Sequence, residues 1–173
     1  MKNLYTIILL TLLSLLMPSL AAAQSFQNVS IADASTVYSI AQDEQGIMWF
    51  GTDHGLYAYD GYRSIPHNTD ADGTPVITRV HSICIFKDML YMATERGLMA
   101  YDIRRGRYAE RTSGGMGEMR AVTIYGGRLW YGGAQGLFSR DLQTGTKRTE
   151  NSRLHNVYSL LPTRHGLLVG TLT

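Results

Sequence analysis

The sequence predicts an all-β fold. Its units are β-propeller blades, each a four-stranded antiparallel sheet of about 40 residues, in an incomplete ring of about 3.5 blades behind a signal peptide. Three observations predict it. A pattern of aromatic, glycine and leucine residues recurs at intervals of 42, 39 and 38 residues. Within each interval the apolar runs have strand length and are separated by turn formers, with no 3.6-residue periodicity beyond the leader. All 18 glycines lie after residue 23, about 12 % of that part against a usual level of about 7 %, and 10 of the 11 tyrosines accompany them, as short strands joined by tight turns require.

Residues 1–23 read as the leader. Met1-Lys2-Asn3 is a positive start, Leu4 to Leu16 is apolar, Pro18 breaks the run, and Ala21-Ala22-Ala23 supplies small residues for cleavage before Gln24. This mainly apolar run of thirteen residues is short of the roughly 20 that span a bilayer, so cleavage and export are expected, to the periplasm in a Gram-negative cell. No cysteine at the cleavage site marks a lipoprotein. Residues 24–36 are expected to form an N-terminal segment or closing strand, and residues 37–173 the partial propeller, with blades at about 37–79, 80–118, 119–156 and an incomplete 157–173.

The first unit carries Trp49-Phe50-Gly51-Thr52, then Gly55-Leu56 and Tyr59-Asp60. The second repeats this as Tyr91-Met92-Ala93-Thr94, Gly97-Leu98 and Tyr101-Asp102, the third as Trp130-Tyr131-Gly132-Gly133, Gly136-Leu137 and Arg140-Asp141, and the fourth begins with Leu168-Val169-Gly170-Thr171. Upstream of each lies another apolar segment: Val37 to Ala41, Val80 to Phe86, Met119 to Tyr125 and Val157 to Leu161. In the first unit the strands are expected at Val37 to Gln42, Ile47 to Thr52, Leu56 to Tyr59 and Tyr62 to Ile65, with turns at Asp43 to Gly46, Asp53-His54-Gly55 and Asp60-Gly61. A parallel β-helix would need shorter coils, and a sandwich has no reason to repeat its sequence.

The repeated residues have a packing role. Gly51 and Gly132, with Ala93 between them in the series, keep the second strand small where the next blade or the inner strand approaches. Trp49, Tyr91, Trp130 and Leu168 share one strand face and fill the space between blades, with Leu56, Leu98 and Leu137 beside them. Gly55, Gly97 and Gly136 serve the turns.

The string from Val37 through Asp43-Glu44-Gln45-Gly46, Trp49-Phe50-Gly51-Thr52 and Gly55-Leu56 to Tyr59-Asp60-Gly61-Tyr62 resembles the two-component-regulator propeller repeat, and Phe26 to Ile31 is similar to the start of hybrid two-component sensors in gut Bacteroidetes. The first unit is close to that pattern. The others depart from it: Phe86 stands where the first unit has Asp43, and Gly126-Gly127 replaces its longer first loop. The resemblance implies a periplasmic sensor of two propellers, an Ig-like domain, a membrane helix in the inner membrane and a cytoplasmic histidine kinase with phosphorelay parts. It further implies an oligosaccharide ligand, the remaining blades and the Ig-like domain as partners, and it allows a homodimer.

Composition and motifs limit the chemistry. A net charge of +2 offers no polyanion-binding surface, so nucleic acid is not an expected partner. One cysteine, Cys84, makes no disulfide framework. There is no Gly-x-Ser-x-Gly, no His-Glu-x-x-His and no phosphate-binding loop; Gly114-Gly115-Met116-Gly117 lacks the Lys-Ser/Thr that such a loop requires. His54, His67, His81, His155 and His165 lie apart without metal-ligand spacing, and surface loops account for most of them. Asn68, Asp70, Asp72 and Gly73 open like a calcium loop, but the twelfth position is Arg79. Arg104, Arg105 and Arg107 read as a solvated basic turn. No catalytic residue, metal or cofactor is expected.

Ligand contacts are sought where the repeat varies while its geometry is kept. The turn between second and third strands places His54, Arg96 and Gln135 at equivalent positions on one face, where polar side chains can bond sugar hydroxyls. A non-catalytic sensing domain is the expected function. The alternatives are an exported propeller enzyme of lyase or dehydrogenase type, which would need clustered acids or histidines at the ring centre, and a scaffold or adhesion module.

Overall fold

The computed structural model describes residues 28–31, 33–111 and 117–172, so the leader and Gly114-Gly115-Met116 lie outside the described residues. Three four-stranded antiparallel sheets follow one another in simple up-and-down order. The first contains β1 (Val37–Gln42), β2 (Met48–Thr52), β3 (Gly55–Tyr59) and β4 (Ser64–Pro66). The second contains β5 (Val80–Phe86), β6 (Met89–Thr94), β7 (Gly97–Asp102) and β8 (Arg107–Arg111), and the third β9 (Met119–Tyr125), β10 (Arg128–Gly133), β11 (Gly136–Asp141) and β12 (Lys147–Asn151). A hairpin of β13 (Val157–Thr163) and β14 (Gly166–Thr171) follows. No helix occurs among the described residues.

The first strand of each sheet packs on the first strand of the next, in the succession β1, β5, β9, β13. These four strands line the inside of the arc, and the fourth strands form its outside, which is the geometry of propeller blades.

The hydrophobic core is divided among the gaps between blades. Trp49, Leu56 and Ala58 of the first sheet meet Val80, Ile83, Leu90, Met92, Met99 and Tyr101 of the second. Ala93 and Leu98 of the second meet Met119, Val122, Leu129 and Tyr131 of the third, and Ala121 and Leu137 of the third meet Val157 of the hairpin. The small second-strand positions explain the close approach. A Cβ on Gly51 would lie 2.8 Å from Val80 Cγ1, and one on Gly132 would lie 2.6 Å from Val157 Cγ1. Tyr91 and Trp130 flank their gaps as expected, whereas Leu168, at the equivalent position of the hairpin, is 60 % exposed.

Local side-chain bonds set the ends of the strands. The Asp43 carboxylate accepts hydrogen bonds from Gln45 N, Ile47 N and Trp49 Nε1, so β2 starts at Met48 and not at Ile47. Asp60 accepts from Tyr62 N and Arg63 N, which draws those residues into a turn and delays β4 to Ser64. The described part of the 24–36 segment forms no strand. Ser35 and Thr36 instead donate to the Asp53 carboxylate, and the Ser35 hydroxyl bond in particular holds that carboxyl well below the usual range.

Candidate functional site

The four inner strands share an irregularity. In each, one residue is skipped by the ladder to the second strand: Tyr38 between Val37 and Ser39, His81 between Val80 and Ser82, Arg120 between Met119 and Ala121, and Tyr158 between Val157 and Ser159. An extra residue of this kind leaves the pairing and re-aims its side chain. All four side chains line one cavity of about 360 Å³, together with Arg79 and Glu118, which stand just ahead of β5 and β9. The cavity therefore lies where the first strands converge on the axis of the arc.

The backbone around it is held by a repeated bond from the turn between second and third strands. Asp53 N donates to Thr36 O, Glu95 N to Arg79 O and Ala134 N to Glu118 O. These turns are themselves fixed. His54 N and Arg96 N donate to Thr52 Oγ1 and Thr94 Oγ1, whose hydroxyls donate onward to Gly55 O and Gly97 O. The third turn has Gly133 in place of threonine, because a Cβ there would fall 2.0 Å from Glu118 O.

Side chains within the cavity form a braced set. Arg120 Nη2 donates to Glu118 Oε2 at 2.9 Å, and its guanidinium carbon lies 4.5 Å from the Tyr158 ring centre. Arg79 Nη1 is 2.8 Å from Glu95 Oε1, and its guanidinium carbon is 5.9 Å from the Tyr38 ring centre. His81 lies edge-on to Tyr38, with its Nε2 2.9 Å from Glu118 Oε1 but not aligned for a hydrogen bond. Burial pushes the His81 imidazole below its ordinary range, and Glu118 works against that shift. Two aromatic faces, two guanidinium forks, an imidazole and a carboxylate offer both stacking surface and directional donors and acceptors to a small polar ligand.

His54, Arg96 and Gln135 sit in the second-to-third-strand turns of their blades, at the same end as the cavity because the start of each inner strand pairs with the end of the second. None of the three lines the cavity; they stand one strand further out. His54 Nδ1 is 3.3 Å from Asp53 Oδ1. The inner ring of Tyr38, His81, Arg120 and Tyr158 was not among the residues expected from sequence. Its signal was nonetheless present, as an x that varies inside Val-x-Ser at 37–39, 80–82 and 157–159 and inside Met-Arg-Ala at 119–121.

Other sequence features have structural roles. His67 is no surface-loop histidine: it packs 5.0 Å from Trp49, and its Nδ1 is 2.7 Å from the Tyr101 hydroxyl. Asn68 accepts from Leu56 N and donates to His54 O, so the segment resembling a calcium loop begins with a residue bonded to the blade. No three His, Cys, Asp or Glu side chains among the described residues gather as a metal site would need. Cys84 packs in the gap between second and third blades, where burial pushes its thiol up to about 12. A second concavity, of about 420 Å³ at the opposite end, is lined by Phe86, Lys87, Tyr91, Asp102 and Arg105 among others. Its Arg105 and Asp102 bond one another at 2.8 Å.

Comparison with known proteins places these features in context. Residues 32–54 match the family described as two component regulator propeller. The chain is similar, at 30 % identity, to the extracellular domain of BT4673 from B. thetaiotaomicron, described in one structure as a putative one component system and in another as a putative hybrid two component system. The match covers 86 % of this chain and 21 % of that one, with TM-scores of 0.73 and 0.72. The extracellular domain of the putative hybrid two component system BT3049 from the same organism matches at 23 % identity and a TM-score of 0.68, over 84 % of this chain and 24 % of that one. The computationally designed Ika4 protein shares the fold at 16 % identity and a TM-score of 0.61, over 87 % of this chain and all of its own. The chain thus spans about a fifth of the length of the sensor domains it matches first. A comparison with curated proteins finds no match.

Proposed function

We propose, from the two-component regulator propeller repeat that this chain carries at residues 32–54, that it is a non-catalytic sensing region of a two-component signalling protein, exported to the periplasm, whose ligand is an oligosaccharide. The similarity to extracellular domains of putative one- and two-component systems supports the sensing role and the exported location. The single observation that carries the ligand is the set of four skipped residues, Tyr38, His81, Arg120 and Tyr158, converging on one cavity with an aromatic side chain at each end of the series. Tyrosine faces cover the apolar face of a sugar ring, and guanidinium, imidazole and carboxylate groups match its hydroxyls. His54, Arg96 and Gln135, on the turns at the same end, form an outer rim for further sugar units. Occupancy would change the packing of the inner strands, and the signal would pass to a histidine kinase beyond this region.

The test is calorimetric titration of the chain with a panel of mono- and oligosaccharides. At least one sugar is expected to bind, Tyr38→Ala and Tyr158→Ala to weaken it at least tenfold, as loss of about 1.4 kcal/mol each implies, and Arg96→Ala to weaken only the longer sugars. Binding that survives both tyrosine substitutions would remove the cavity from the proposal.

A further inference from the structure

We propose that the axial cavity is built for an acidic sugar, with a carboxylate or sulfate group held against Arg79 and Arg120 and the ring lying beside Tyr38 and Tyr158; this rests on the saccharide reading above. The lining side chains carry two guanidinium groups, one imidazole and a single carboxylate, Glu118, while Glu95 pairs with Arg79 from outside the lining; the charges balance when His81 is neutral, and a proton on His81 gives the site a net positive charge. Each guanidinium is pre-positioned. Arg79 is held between Glu95 and the Tyr38 ring, and Arg120 between Glu118 and the Tyr158 ring. Each fork is therefore ordered before a ligand arrives, which reduces the entropy lost on binding, and a guanidinium fork matches a planar carboxylate or a sulfate edge.

Glu118 shows where an anion sits. Its two oxygens face Arg120 and His81 at once, 2.9 Å from each, and His81 Nε2 is a buried polar atom without a hydrogen-bond partner. A ligand anion entering beside Glu118 would share these donors and be repelled by it. His81 is also surrounded by Arg79, Glu95 and Arg120, and by the edge of Tyr38. Burial disfavours its imidazolium, while a second negative charge would favour it. Binding then takes up a proton, and affinity is highest at low pH and falls as pH rises. The volume, about 360 Å³, lies at the low end of the range for small-ligand pockets, so one or two sugar units fit.

The whole chain is titrated with glucuronate, glucose 6-sulfate, glucose and potassium sulfate at about pH 5.5 and about pH 8.0. Glucuronate and the sulfated sugar are expected to bind at least tenfold tighter than glucose, and several-fold tighter at the lower pH, a dependence that His81→Gln removes. Glu118→Gln is expected to tighten glucuronate about tenfold, a gain that damaged folding would not give, and Arg120→Gln to abolish it. Glucose binding as tightly as glucuronate, or a Glu118→Gln variant no tighter than the parent, would overturn the acidic ligand and leave the saccharide reading standing. Potassium sulfate binding as well as either acidic sugar would uphold the anion subsite and remove the saccharide. Binding of none of the four overturns the proposal.

Discussion

At the scale of single residues, polar side chains decide which parts of the repeat are regular. Asp43 is legible in the sequence as a turn former, but its bond to Trp49 Nε1 is not, since it joins residues across the first hairpin. The third blade has no such aspartate, and Trp130 Nε1 bonds Tyr125 O instead, so the tryptophan keeps a partner while the turn shortens. His67 is the plainest departure from expectation. A histidine in a turn-rich segment reads as surface, yet this one closes the first gap against Trp49 and Tyr101, and only the tertiary fold brings those rings together. Burial lowers the pKa of His67 and of His81, so the unfolded chain takes up protons that the folded chain resists. Stability should therefore be full above the ordinary imidazole range, near pH 6.5, and should decline as pH falls below it. The urea midpoint is expected to be lower at about pH 5 than at about pH 7.5, with a smaller difference in His67→Gln. Equal pH dependence in that variant would count against the role given to His67.

At the scale of strands, the repeat was legible because each blade must satisfy the same neighbours. Strand positions follow the spacing of apolar runs and glycines to within a residue or two, except where an aspartate captures the chain at Asp60. The skipped residue in each inner strand was harder to read, because an irregularity in pairing leaves no mark on hydrophobic alternation and shows only as the variable position of the repeat. The glycines of the second strands give a direct test of blade packing. Gly132→Ala is expected to cost about 1–3 kcal/mol, because the new methyl group meets Val157 and nothing between them can yield without moving the hairpin. Val157→Gly should make room for it, because both the Cγ1 and the Cβ of Val157 lie within 2.7 Å of the new methyl group. In the double variant the loss should be smaller than the sum of the single losses by about 0.5–3 kcal/mol, read from urea melts. Strict additivity would mean that the two residues do not meet.

At the scale of the whole molecule, the core belongs to the gaps between blades, and the two ends of the arc are left bare. Ile40 on β1 is 58 % exposed, and Leu161 and Leu168 on the hairpin are each 60 % exposed. Apolar faces of this kind associate in water. The chain is expected to sediment as concentration-dependent oligomers, and Leu161→Lys with Leu168→Lys to shift the distribution toward monomer. A single monomeric species over a tenfold range of concentration would contradict this. The fold class was legible from sequence because every unit is shaped to contact a neighbour on each side. The candidate site was less legible, since its six lining side chains come from four strands and the segments entering them, and no window of sequence holds them together. The skipped residues have one more consequence. Each stands outside the ladder to the second strand and outside the apolar clusters between blades, so exchanging it leaves the strand pairing and the hydrophobic core intact. Tyr38, His81, Arg120 and Tyr158 can therefore vary independently of the scaffold, and related chains can come to recognise different molecules by single substitutions, one blade at a time, without first acquiring a more stable fold.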